Sequence, residues 1–177
     1  MVLQQQENVA IWGKADPEVE VVLEASWLSS GKKVFSEKKG NWKFNIDTPK
    51  ASFKPHFLKV KSKEDVALVE NILIGQVWLC SGQSNMGFSL DREENAATEI
   101  PKADFQYIRL FQGSKVFSNI PLDEARGRWY ICNPDTVAVF SAVGYYFGKE
   151  LYQKIHQPIG LINLSRGGTP IESWMRP

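Results

Sequence analysis

Cysteine and histidine are the scarcest chemistry-bearing residues in this 177-residue chain, at two each. Cys80 and Cys132 can close at most one bridge, which excludes a disulfide scaffold and a zinc site built on cysteine. They leave the redox compartment open. An excess of charge of either sign is also missing. Twenty-one Lys and Arg against twenty Asp and Glu leave a formal +1, so no strong field draws in nucleic acid or an anionic membrane. Long apolar runs are lacking as well: no window approaches the ~20 apolar residues of a membrane-spanning helix. The opening MVLQQQENVA has neither the basic start nor the apolar stretch of a signal peptide. No internal repeat and no low-complexity tract breaks the pattern. What is present is core material, 43% hydrophobic and 12% aromatic, as expected of a folded domain.

The composition changes near Asn71. Through residue 72 all eleven basic residues are Lys, whereas all six Arg and ten of the thirteen glycines lie beyond. The first part reads as short strands: VAIWG at Val9 to Gly13, the run from Glu18 to Leu28, NWKFNI with Trp42, Phe44 and Ile46 alternating, and FLKVK from Phe57. Turn signals at Asp16-Pro17, Ser30-Gly31 and Lys39-Gly40 separate them, which predicts an antiparallel β-sandwich over residues 1–71. Residues 72–177 have a different grammar. ILIGQVWLC, Ile72 to Cys80, and IGLINLS, Ile159 to Ser165, are nearly continuous apolar runs that predict strands buried on both faces of a parallel sheet. Between them Phe140, Val143, Phe147, Leu151 and Ile155 recur at helical spacing, with a second stripe of Ser141, Gly144 and Gly148 small enough to let the helix lie close to a sheet. Helix followed by buried strand is half of an alternating α/β layout, in which a ligand sits at the carboxyl ends of the strands.

Two loops follow buried strands and so meet that rule: Ser81-Gly82-Gln83-Ser84-Asn85-Met86 and Ser165-Arg166-Gly167-Gly168-Thr169-Pro170. A serine in a sharp glycine-bearing turn exposes its hydroxyl and aims its own N–H at an incoming carbonyl oxygen, which makes Ser84 the candidate nucleophile. Gly168, and with it Gly167, can bring a second N–H to the same point because no Cβ blocks the approach. Gln83 and Asn85 flank the serine as substrate-adjacent candidates. Against this stands the plainer reading of either loop alone, a turn or helix cap after a strand.

IGQVWLCSGQSNM at Ile74 to Met86 together with GLINLSRGGTPIESW at Gly160 to Trp174 closely resembles the sialate O-acetylesterase family, serine hydrolases of the SGNH superfamily. The opening MVLQQ and VAIWG and the helix FSAVGYYFGKEL extend the resemblance over essentially the whole chain. It implies a β-domain followed by a three-layer α/β/α hydrolase domain, and removal of O-acetyl groups from sialic acid or related sugars through an acyl-serine intermediate. It implies no metal or organic cofactor. Its roles fall on Ser84 as nucleophile and oxyanion donor and on Gly168 as the glycine of the second loop. It suggests an exported protein, secreted or periplasmic. The family also places an oxyanion side chain and an Asp-x-x-His base far downstream, and neither occurs before Pro177, so the chain reads as a fragment that lacks its base. Such a fragment is expected to expose apolar surface and self-associate. Arg166 departs from the Trp that the family often places before its two glycines. Neither histidine replaces the base: His56 lies in the Lys-rich part, and His156 stands at the amino end of the second buried strand, opposite Ser84. Two further readings compete, an acetylxylan-type esterase and a non-catalytic carbohydrate-binding module using Trp12, Trp27 and Trp42.

Overall fold

A computed structural model describes residues 1–114, 116, 118, 120, 122 and 125–175. The chain is mixed α/β: ten strands, mostly antiparallel with two parallel pairings, and three α-helices among the described residues. It divides into two compact units, Leu3–Gly75 and Met1–Val2 with Gln76–Pro177.

In the first unit β2 (Asn8–Lys14) pairs antiparallel with β5 (Asn41–Asp47), and β3 (Glu20–Ala25) pairs with both β4 (Lys32–Phe35) and β6 (Ser52–Ser62). The alternation in the sequence explains these strands. Phe44 and Ile46 are buried while Lys43 and Asn45 between them are exposed, as a pleated strand with one wet face requires. Lys63, in the left-handed region at φ 50°, turns β6 back into β7 (Asp65–Cys80), and Asn71 at φ 55° falls at a register shift between them. A short β1 (Val2–Gln4) also pairs with β7.

The end of β7, from Gln76, belongs to the second unit. There β10 (Ile159–Asn163) lies parallel between β7 and β8 (Phe105–Gly113), and β9 (Gly127–Cys132) closes the edge antiparallel to β8. Short helices α1 (Ala96–Glu99) and α2 (Pro134–Val137) precede α3 (Ala142–Ile155). The helix starts at Ala142, past the first apolar residue of its stripe, Phe140, because Ser141 caps it, its hydroxyl accepting from Gly144 N at 3.0 Å. Its sheet-facing side is the small stripe, as expected: a Cβ on Gly148 would lie 2.5 Å from Leu161 Cδ1, and one on Gly144 3.1 Å from Cys80 Sγ. Val143 and Phe147, from the apolar stripe, are 50% and 41% exposed. The first buried strand is likewise buried only in part, through Ile72, Leu73 and Ile74, whereas Trp78 and Leu79 are 43% and 61% exposed. Trp78 has Phe147 for company, edge to face with ring centroids 5.0 Å apart.

Candidate active site

The parallel register aligns strand ends. Asn163 pairs with Cys80 on one side and Gln112 on the other, so the loops after β7 and β10 leave the sheet at the same carboxyl edge. Backbone bonds then stitch them together: Leu164 N donates to Cys80 O at 3.1 Å and Arg166 N to Gly82 O at 2.8 Å. The first loop bends sharply. Gly82 sits at φ 134°, a conformation L side chains avoid, and Gly87 N reaches back to Gln83 O at 2.9 Å to close a single turn. Ser84 rides on that turn, exposed, with Gln83 and Asn85 exposed beside it.

Gly167 faces the serine directly. A Cβ built there would stand 3.5 Å from Ser84 Cβ and 3.6 Å from its Cα. Gly168 follows at φ 75° with open space around it. Five residues singled out from the sequence, Gln83, Ser84, Asn85, Gly167 and Gly168, thus belong to one pair of loops held together. A 3₁₀ turn, Ile171–Trp174, follows Pro170.

The histidines are elsewhere. His156 is the C-cap of α3, left-handed at φ 49°, and precedes β10, which runs five residues before the loop that meets Ser84 begins. At ~3.3 Å per residue the strand separates them by far more than the ~3 Å reach of a general base. His156→Gly should therefore raise stability by about 0.5–1 kcal/mol, since glycine takes that conformation without a Cβ penalty, and should leave ester hydrolysis unchanged. Thermal melts and rate assays check it together. His56 belongs to the first unit, its Nδ1 2.8 Å from Ser26 Oγ, and burial followed by the charge of Lys54 lowers its pKa.

The polar stretch Asp91 to Asp104 is strapped to α3 and the segment before it. Leu90 N and Asp91 N donate to Phe140 O and Ala138 O at 3.0 and 2.9 Å. Tyr146 donates to Glu93 at 3.0 Å and Tyr145 to Glu99 at 2.7 Å, and Lys149 pairs with the same Glu99 carboxylate. The Lys149 bond, aided by Tyr145, holds the Glu99 carboxyl below the usual carboxylate range despite its burial. A depressed pKa stabilises the fold at pH above the unfolded value and loses that contribution as pH falls through the folded one. Urea melts from pH 7 to pH 3 should show this acid loss, and Glu99→Gln should remove Glu99's share while costing about 1–2 kcal/mol at pH 7. An unchanged pH slope in the variant would refute the strap.

Both cysteines are buried free thiols. Burial raises the Cys80 pKa, and burial with the nearby Asp104 charge pushes Cys132 up to about 12, so neither supplies a thiolate at neutral pH. Among the described residues no three His, Cys, Asp or Glu side chains gather as a metal would need. The tryptophans form no common platform. Trp12 and Trp42 lie on opposite faces of the β2–β5 ribbon, Trp42 over Gly13, and Trp27 packs edge-on against His56. Four arginines could pair with a sugar carboxylate by their chemistry: Arg166 belongs to the paired loops, Arg109 is buried on β8 with Nε on Gln106 O, and Arg126 and Arg128 are exposed at the start of β9.

The profile of the carbohydrate esterase, sialic acid-specific acetylesterase family matches residues 74–177, which contain both loops. The chain belongs to this family. Within it, the sialate O-acetylesterases of Homo sapiens and Rattus norvegicus are each 34% identical over 98% of the chain. A carbohydrate acetylesterase from Xanthomonas citri, known as a crystal structure, superposes with a TM-score of 0.92 at 30% identity over 98% of the chain. The chain spans 36% of the human esterase and 40% of the Xanthomonas chain, so these relatives carry a large further region. The sequence pattern does not single out one buried polar residue here, Asn163 beneath the second loop, signalled only by an Asn two residues before a Ser at a strand end.

Proposed function

We propose that this chain is the nucleophile-bearing part of a carbohydrate O-acetylesterase. The observation that carries the reading is Gly167 packed on Ser84 in a pair of loops at one strand edge, in a chain of the acetylesterase family. Ser84 Oγ attacks the acetyl carbonyl, forming the acyl–oxygen bond as its proton passes to a base. The N–H groups of Ser84 and Gly168 receive the developing oxyanion. Collapse expels the sugar hydroxyl, protonated by the same base, and water then releases acetate. Neither His56 nor His156 is placed to be that base, so it is expected from the Asp-x-x-His segment that the family resemblance places downstream, and the relatives do carry a large further region. Gln83 and Asn85, exposed on the turn, line the approach of the sugar. In this reading residues 1–71 form a β-sandwich and residues 72–177 the first portion of a three-layer SGNH-type domain, supported by the antiparallel first unit and the parallel pairings of β10.

Covalent capture tests the assignment. A fluorophosphonate ester, given to protein carrying the downstream region, is expected to label the peptide that contains Ser84 and to abolish hydrolysis of an activated acetyl ester in step. Stoichiometric inactivation with the label on any other residue would overturn it.

A further inference from the structure

The mechanism uses the two loops and leaves unexplained the amide beneath them. Asn163, the last residue of β10, is 4% exposed. Its Oδ1 accepts from Ser165 N at 3.0 Å and from Ser165 Oγ at 2.6 Å, while its Nδ2 donates to Gln112 Oε1 on β8 at 3.2 Å. One buried carboxamide therefore ties the second loop to a neighbouring strand. Ser165 in turn sits against the nucleophile turn, its Oγ 3.2 Å from where a Cβ on Gly87 would lie. The next residue, Arg166, is bonded to Gly82, and the one after it, Gly167, packs on Ser84. The path from Gln112 through Asn163, Ser165 and Gly167 to Ser84 is a continuous run of bonded or packed neighbours.

We infer that Asn163 is a positioning residue: by fixing Ser165 it sets the register of Arg166 to Gly168 against the Gly82 to Gly87 turn, and so places the Gly168 N–H relative to Ser84. The inference rests on the reading of Ser84 and Gly168 as the acyl-transfer pair. The residue type follows from the bond pattern. Two acceptor contacts and one donor contact must come from a single short side chain: leucine fills the volume and makes none of them, and aspartate keeps the acceptors for Ser165 without the amide donor for Gln112. Misplacing a catalytic donor by about an ångström costs of the order of 10²-fold, and loss of one outright costs 10²–10³.

The test is Asn163→Leu, Asn163→Asp and Ser165→Ala in protein carrying the downstream region, assayed for kcat and KM on an activated acetyl ester and by amide hydrogen exchange. Asn163→Leu is expected to lower kcat about 10- to 100-fold with KM within about threefold, to strip protection from the Ser165 and Arg166 amides, and to leave Leu161 in β10 protected. Asn163→Asp is expected to recover kcat to within about fivefold of the parent, and Ser165→Ala to lower it by less than the leucine variant does. Should the leucine variant not fold, the other two carry the test: a parental kcat in Ser165→Ala, or no advantage of Asp over Leu where both fold, overturns the inference. So does a joint loss of kcat, KM and β10 protection, which marks a general loss of packing. If Ser84→Ala were as active as the parent, the acyl-transfer reading would fail instead, and exchange at Arg166 would still decide whether Asn163 holds the loop.

Discussion

Ser84→Ala is expected to cut kcat for acetyl-ester hydrolysis by at least about 10³-fold, with KM within a few-fold of the parent. The size follows from what the substitution takes and what it leaves. In the proposed mechanism it removes the hydroxyl that forms the acyl intermediate, and water must then attack without covalent catalysis. It leaves the backbone of residue 84, so the N–H groups proposed to meet the oxyanion, those of residue 84 and Gly168, both remain, and a residual rate above the uncatalysed one should persist. Because Ser84 is exposed on its turn, its truncation removes little packing, and the thermal midpoint should not move. Gln83→Ala and Asn85→Ala make the comparison sharp. The turn is closed by the Gln83 carbonyl rather than its side chain, so these variants should lose far less than Ser84→Ala. A Ser84→Ala enzyme with parental kcat would end the acyl-serine reading. A fall shared equally with the Gln83 and Asn85 variants would say that the turn as a whole, and not the hydroxyl, is what matters.

How much of this could be read from residues alone depended on whether the information was local. The two strand-end loops were legible, because an apolar run followed by glycine and serine is a local pattern, and both emerge at one edge as expected. The alternation of NWKFNI was legible for the same reason. The sheet-facing side of α3 was legible too: a stripe of Ser141, Gly144 and Gly148 lets a helix approach a sheet, and the sheet takes Gly144 and Gly148 against Cys80 and Leu161. What was not legible is how exposed the apolar stripe stays at Val143 and Phe147, because that depends on what the rest of the fold packs against it. Strand β9, GRWYIC, carried too little alternation to stand out and is defined by its pairing with β8. Asn163 was illegible for a further reason: its partner Gln112 lies 51 residues away, and the bond exists only once β8 and β10 are neighbours.

The close approach at Gly148 yields the largest effect expected on stability. Gly148→Val should lower the stability of the second unit by about 3 kcal/mol or more, a fall in melting temperature of about 6–12 °C for a chain of this size. The Cβ alone would lie 2.5 Å from Leu161 Cδ1 and 3.2 Å from its Cγ, and Leu161 is fully buried in the central strand between β7 and β8, with nowhere to turn. Valine adds two further carbons in the same direction and locks its χ1 in the helix, so α3 must lift away from β10. Gly148→Ala separates the terms: it gains up to about 1 kcal/mol of helix propensity and meets only the first collision, so its loss should be much smaller. Val143→Ala, on the exposed stripe, should cost under about 1 kcal/mol. The reverse order, with Val143→Ala damaging and Gly148→Val harmless, would mean that α3 presents its apolar stripe to the sheet and that the helix is rotated from the orientation described. Because Ser141 at the start of α3 donates to Met86 Sδ at 3.5 Å, within the turn that carries Ser84, lifting the helix should also disturb Ser84. Gly148→Val should then lose catalytic rate even at temperatures where it remains folded, whereas Val143→Ala should keep it.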